Sequence, residues 1–435
     1  MRVAGVAVLL QKVSDAGGLA ARISPDAAPR RLLFLGLNYS PEAVGIGPYT
    51  AGLAEGLAAR GHSVHAVVGQ PYYPDWKLFD RYRRRWKRSV ENGVSITRCP
   101  HYIPATPTGK RRIVHHLSFA SAAYPSLRAR AAQLRPEMIF TVAPSMATVP
   151  VAQRLARRLG IPLWLHVQDF EVDAALATGL IGQGGRRIDA AARFERRVLC
   201  GADIVSSISP AMCRMLERKG IASSRILEMR NWANHADAMK GENGESYRRL
   251  WGLEGQTVVL YSGTISHKQG LDVVIGAARR LAARGDITFV IAGEGPKRAE
   301  IERQAQGLPN VRIADLQDDE RVGALLRMAD IHLLPQIAGA ADLVLPSKIG
   351  NMLASARPIV ATAHPGSGIA DELDGCGLLV PPGDADALAL AVRTLADDPA
   401  ARDKMGAICK ERAARRWSKQ LVVDLFEARM EALLA

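Results

Sequence analysis

Short apolar runs recur along the chain, separated by stretches whose apolar positions return every three to four residues. Arg31 to Leu37, Ser63 to Val68, Met138 to Val142, Leu163 to Val167 and Asp203 to Ile208 form a first series. Runs of this length suit strands buried on both faces, and their alternation with helices predicts a parallel sheet covered on both sides. The alternation then begins again with Thr257 to Tyr261, Ile287 to Ala292, Val311 to Ala314, Asp330 to Leu334, Pro358 to Thr362 and Gly377 to Val380. Two successive doubly wound α/β domains are therefore predicted. Asn231 to Gly255, rich in Gly, Asn and Glu and poor in apolar periodicity, places the interdomain linker and the start of the second domain. The expected division is an N-terminal extension over 1–30 without ordered structure and a first domain over 31–235. A second domain follows over 236–416, then a C-terminal helix over 417–435 that packs back towards the first.

Composition agrees with two packed cores: 435 residues, 48% hydrophobic and 23% charged. The apolar run Val3 to Leu10 stops at Gln11 and Lys12, too short to cross a bilayer and a poor export signal. Five cysteines, odd in number and without a C-x-x-C pair, suit a reducing cytoplasm. Charge changes the picture more. Residues 1–230 hold 33 Lys and Arg against 16 Asp and Glu, whereas the rest of the chain holds 24 against 27. A cationic half beside a near-neutral one points to an anionic partner of the first domain, a membrane surface or a phosphorylated lipid. Nucleic acid is disfavoured, because aromatics make up only 5% and no helix-turn-helix, zinc-finger or RNA-binding signature occurs.

Ligands of doubly wound sheets sit at the carboxyl ends of the strands, so the segments that follow the strands carry the candidate chemistry. After the first strand, Gly45 and Gly47 open a helix and offer backbone amides to a phosphate, or serve only a tight turn. A dinucleotide fingerprint would need a third Gly at Thr50, which counts against a nicotinamide dehydrogenase. His166 and Gln168 alternate with Val167 onto one face of a strand that ends at Asp169, a carboxylate able to hold a substrate hydroxyl or stabilise developing positive charge on a sugar. Glu171 and Asp173 follow in the same loop. In the second domain, Gly263 and Lys268 follow the first strand, and Gly293-Glu294-Gly295 the second. The segment from Ala341 through Ser347, Lys348 and Asn351 to Pro358 follows the fourth. Together these junctions describe a nucleotide pocket, with the lysines suited to a diphosphate.

These segments resemble retaining glycosyltransferase family four, and within it the colanic-acid-type branch. The resemblance is carried by S-P-E-x-x-G-I-G-P-Y-T from Ser40, Leu57 to Val64, Pro71-Tyr72-Tyr73-Pro74, H-V-Q-D-F-E-V-D-A-A from His166, S-G-x-x-x-x-K-Q-G-L from Ser262 and L-P-S-K-x-x-N-M-L-A-S from Leu345. It runs from about Arg31 to the end of the chain. It implies the GT-B fold, two Rossmann-like domains facing a cleft, with acceptor on the first and nucleotide sugar on the second. It also departs from the broader family. Leu343 and Asn351 stand where two glutamates are usual, with Asp342 beside the first; Gln168 replaces a His, Thr264 an Arg and Gln269 a phosphate Lys. These departures belong to the branch and leave Lys268 and Lys348 as the expected diphosphate contacts.

The run Arg81 to Arg88, with Arg83, Arg84, Arg85, Trp86 and Lys87 at its centre, and the patch Lys110-Arg111-Arg112 read as a membrane or acceptor face, or plainly as a solvated helix face. The resemblance implies polyprenyl-diphosphate-linked sugars as acceptors. The expected activity is transfer of a hexosyl group, with GDP-fucose as first donor and retention at the anomeric carbon, in exopolysaccharide synthesis at the inner face of the membrane. No aspartate pair of D-x-D spacing stands in a loop suited to a diphosphate-bound metal, so no cofactor or metal is expected. A nucleotide-sugar epimerase of the same architecture is the alternative.

Overall fold

The computed structural model describes residues 28–143, 145–170, 186–236, 239–240, 243–337 and 345–435. Most of the expected extension, residues 1–27, lies outside them, as do Glu171, Asp173, Asp342 and Leu343. Two compact units result: one formed by the described residues up to Arg230 together with Lys419–Ala435, the other by Asn231–Ser418.

The first unit runs through β1 (Arg31–Gly36), α1 (Gly47–Ala59), β2 (Ser63–Gly69), β3 (Lys87–Glu91), β4 (Val94–Cys99), α2 (Gly109–Leu134), β5 (Met138–Ala143) and α3 (Val149–Leu159). It continues through β6 (Leu163–Val167), α4 (Arg186–Cys200), β7 (Ile204–Ser207), α5 (Pro210–Arg218) and β8 (Ile226–Glu228). The strands form one sheet in the order β3-β4-β2-β1-β5-β6-β7-β8. All pairs are parallel except the hairpin β3–β4. That hairpin escapes the apolar pattern, because β4 alternates Ser95, Thr97 and Arg98 with apolar residues and β3 begins inside the basic run. Lys87 and Arg88 therefore lie on an edge strand, not on a helix face. Charge on an exposed edge opposes pairing with another chain.

The second unit runs through α6 (Glu245–Trp251), β9 (Thr257–Ser262), α7 (Asp272–Arg280), β10 (Ile287–Ala292), α8 (Arg298–Ala305), β11 (Val311–Ala314), α9 (Asp319–Met328) and β12 (Ile331–Leu334). There follow α10 (Lys348–Ala354), β13 (Ile359–Thr362), α11 (Gly368–Leu373), β14 (Gly377–Val380), α12 (Ala385–Asp397) and α13 (Pro399–Arg416). Its sheet has the order β11-β10-β9-β12-β13-β14, every pair parallel. The polar stretch that opens this unit contains α6, whose Tyr247 is buried beside Met239 and Leu253.

The last helix, α14 (Lys419–Leu434), belongs to the first unit. Phe426 is fully buried, its ring 4.5 Å from that of Trp164 and 5.3 Å from that of Phe140. Gly56 of α1 lets the helices meet closely, since a Cβ there would stand 2.8 Å from Val423 Cγ2. Around this contact His62 Nε2 lies 2.8 Å from Glu427 Oε1, and Arg60 bonds both Glu427 and Asp424.

Candidate functional site

In each sheet the strand order reverses once, and the segments leaving the two strands at that reversal diverge and leave a crevice for a ligand. In the second unit the reversal falls between β9, which continues to β10 and β11, and β12, which continues to β13 and β14. The loop after β9 carries Gly263 and Lys268, and the chain after β12 returns at Lys348. The structure brings Gly263 and Lys348 together: Lys348 Nζ lies 4.2 Å from the centroid of the Tyr261 ring, and a Cβ on Gly263 would stand 3.7 Å from that nitrogen. Lys348 keeps partial solvent contact as a residue, yet packing around its ammonium pushes its pKa down to about 7. The bed beneath it is bare backbone. Gly263 N–H donates to Ala292 O at 3.0 Å and Ile265 N–H to Glu294 O at 2.8 Å, so the loops after β9 and β10 run side by side. A Cβ on Gly293 would fall 1.9 Å from Gly263 O, and one on Gly295 2.3 Å from Ile265 O. Only glycine fits either position.

The other expected donor contacts are placed differently. Lys268 is exposed on the 3-10 turn His267–Gln269, and its carbonyl accepts from Ile337 N–H at 3.2 Å, tying that turn to the chain leaving β12. Ser347 precedes α10 and is exposed. Glu294 pairs with Arg298, which also meets Asp315 at 2.6 Å. Asn351 is turned to structure: its amide nitrogen donates to Asn234 Oδ1 at 2.8 Å and its oxygen accepts from His235 N–H at 3.1 Å, holding the 234–235 turn.

In the first unit the reversal lies between β1 and β5. Gly45 has a φ of 74°, and Gly47 packs so closely that a Cβ would stand 3.0 Å from Glu42 Cβ. Turn geometry thus accounts for both glycines, while α1 still begins at this point. The residue that organises the segment is Glu42, which sequence reasoning passed over. Its buried carboxylate accepts from the N–H groups of Tyr72 at 2.9 Å and Tyr73 at 3.0 Å, and from the Asn38 amide at 2.9 Å. Burial pushes its pKa above the usual carboxylate range despite these donors. An acid in a turn reads as solvated; only the return of Pro71-Tyr72-Tyr73-Pro74 onto it shows otherwise.

At the end of β6, His166 and Gln168 do share a face, the Gln168 amide nitrogen standing 3.0 Å from His166 Nε2. His166 is buried, and burial pushes its pKa down to about 3. Neutral at ordinary pH, it accepts from Gln168 and donates from Nδ1 to Ser206 Oγ, 2.9 Å away, which also accepts from Trp164 Nε1 at 2.8 Å. Both ring nitrogens of His166, a candidate catalytic residue with Gln168 and Asp169, are thus engaged by protein groups, and the ring holds Gln168 in place. Ser206, on β7, had no signal in the sequence beyond its strand. Asp169 follows, exposed.

The basic residues fall in two places. Arg83, Arg84, Arg85, Trp86 and Lys87 are exposed on the approach to β3, with Lys87 Nζ 5.5 Å from the Tyr82 ring. Lys110, Arg111 and Arg112 are exposed on the first turn of α2. Among the described residues no helix is long and apolar enough to cross a membrane.

Two doubly wound sheets, each with one strand-order reversal, give the α/β architecture of the GT-B class, with a glycine-rich pair of loops beside a lysine in the second. Comparison with known proteins agrees. Residues 44–232 match the glycosyl transferase 4-like domain and residues 256–398 match glycosyl transferases group 1. A protein of Escherichia coli (strain K12) that bears the name colanic acid biosynthesis glycosyl transferase WcaI is 36% identical over 407 residues, 91% of this chain and 98% of its own. The α-D-kanosaminyltransferase of Streptomyces kanamyceticus is 28% identical over 62% of this chain and 70% of its own. Among solved structures, sucrose-phosphate synthase from Thermosynechococcus elongatus superposes with a TM-score of 0.68 at 18% identity, covering 93% of this chain and 99% of that one. The chain belongs to glycosyltransferase family four and is a glycosyltransferase of the GT-B fold.

Proposed function

We propose that the protein transfers a hexosyl group from a nucleoside diphosphate sugar, with retention, to a lipid-linked glycan intermediate of surface polysaccharide synthesis, working at the inner face of the membrane. The observation that carries the donor half is the strand-order reversal of the second unit, where glycine loops after β9 and β10 run side by side and the Lys348 ammonium stands next to Gly263. A diphosphate placed there meets a cation whose charge costs more in the empty site than in the occupied one. The leaving group is stabilised electrostatically, where a donor aimed at developing charge is worth most. Lys268, on the loop after β9, is the further anion contact in this reading, with no metal invoked. Asp169 orients the acceptor or faces the oxocarbenium-like centre, and Gln168, held by His166, lies beside it. No covalent nucleophile is assigned.

GDP-fucose is the first donor to test, on the resemblance to the colanic-acid branch. Membership of the glycosyltransferase family leaves the epimerase reading without support. The test is release of nucleoside diphosphate by the full chain from a panel of UDP-, GDP- and ADP-sugars, with the anomer of the freed sugar followed by NMR. Slow hydrolysis of one donor with retained configuration is expected. Release from none of them, or inversion, overturns the proposal.

A further inference from the structure

The first two turns of α2 are built inside out. Successive residues of a helix turn by about 100°, so Ile113, Val114 and Leu117 share a face with Lys110. That face points to solvent: the three apolar residues are 59%, 52% and 50% exposed. The opposite face is buried and carries His115 and His116; the His115 centroid is 4.7 Å from that of Tyr72 and 5.3 Å from that of Trp76, and the His116 ring lies against His115. Imidazoles turned inward and aliphatic groups turned outward reverse the usual arrangement of a surface helix. Tyr102, its ring partly exposed, is fastened alongside: its N–H donates to Ser118 Oγ at 2.8 Å, and its carbonyl lies 2.5 Å from His115 Nδ1. Contiguous exposed apolar groups of this size mark a contact surface.

The charge around the patch identifies what it meets. From Glu91 to Glu137 the sequence contains no Asp or Glu between those two, while Lys110, Arg111 and Arg112 lie on the same helical turns as the patch. The Arg84–Trp86 approach leads into β3, which pairs with β4, and two residues beyond β4 the His101 ring is 4.9 Å from that of His115. A second copy would bring like charge against like charge across this face. An anionic bilayer offers both complements, acyl chains for the aliphatic groups and phosphates for the cations.

We infer that the first two turns of α2 insert Ile113, Val114 and Leu117 into the surface of an anionic bilayer, with Lys110 and Arg111 at the headgroups. This goes beyond electrostatic attraction and rests on the lipid-linked acceptor reading only for its purpose. It is tested with the full chain and vesicles free of any glycan acceptor, either phosphatidylcholine alone or with about one-third phosphatidylglycerol. In Leu117→Trp the added indole emission shifts to the blue and is quenched by brominated acyl chains on the anionic vesicles only. Ile113→Ser/Val114→Ser/Leu117→Ser lowers partitioning about tenfold or more, and the loss persists in high salt, where surface charge is screened. Lys110→Ser/Arg111→Ser loses binding mainly at low salt. The inference fails if the indole is neither shifted nor quenched, with Val114→Trp as the second reporter, or if the triple variant binds as the parent does. It also fails if light scattering shows the triple variant dissociating a dimer while vesicle binding is unchanged. Donor hydrolysis measured in solution is independent of all these outcomes, so loss of the proposed activity and loss of insertion are read separately.

Discussion

If Lys348 meets the donor diphosphate as proposed, donor binding should depend on pH. Packing around its ammonium lowers its pKa from the ordinary 10.5 to about 7. A diphosphate beside it favours the charged form and raises that pKa again. Below pH 7 the free protein already carries the charge and binding needs no proton. Above pH 7 each unit costs about 1.4 kcal/mol to charge Lys348 before the anion is engaged, so affinity falls about tenfold per pH unit until the pKa of the complex is reached. The terminal phosphate of the ligand ionises near 6, so above about pH 7.5 it contributes little slope of its own. The measurement is calorimetric titration of the full chain with the tightest-binding of UDP, GDP and ADP between pH 7.5 and 9. Buffers of different ionisation enthalpy then report proton uptake. Lys348→Arg retains a charge that does not titrate in this range and should bind with a flat profile. Lys348→Ala should lose about 1.5 to 3 kcal/mol at pH 7. A flat profile in the parent protein, or the same slope in Lys348→Arg, refutes the assignment.

Four further outcomes follow from the geometry. Gly293→Ala places a Cβ 1.9 Å from the Gly263 carbonyl oxygen and should cost about 3 kcal/mol in urea unfolding and weaken donor binding, whereas Gly285→Ala, open on all sides, should do neither. Phe426→Ala removes a fully buried ring stacked on Trp164 and should cost about 3 to 5 kcal/mol; a loss under about 1 kcal/mol would mean that α14 is not held by this contact. Glu42→Ala strands three buried donors and should cost about 3 kcal/mol or more. Glu42→Gln, which keeps one acceptor oxygen for Tyr72 and Tyr73, should cost visibly less in the same denaturation. Replacing Arg83, Arg84, Arg85 and Lys87 by Ser should weaken binding to anionic vesicles by about 3 to 4 kcal/mol at low salt and less at physiological ionic strength, without changing donor hydrolysis in solution; equal vesicle binding would count against a membrane role for this run.

The amino-acid order by itself determined the two series of buried parallel strands and the glycines at their carboxyl ends. These are local properties: an apolar run too short for a helix, and a turn that no side chain fits. It also located Gly263, Gly293 and Lys348, because a strand-to-helix junction is visible in one dimension. It left β3 and β4 unseen, since polar alternation at a sheet edge is indistinguishable from a solvated segment until Lys87 is paired with Arg98 across the hairpin. Strand order, and with it the crevice at β9 and β12, depends on contacts between residues far apart in the chain and was decided only by the tertiary structure. The same holds for Glu42, which is a buried acceptor because the Tyr72–Tyr73 backbone folds back onto it, and for His166, whose neutral, positioning role requires Ser206 from the neighbouring strand. Around Lys110-Arg111-Arg112 the residue order allows a helix face but does not say which side of α2 faces inward. Packing against Tyr72 and Trp76 made that choice, turning the histidines in and leaving Ile113, Val114 and Leu117 outside.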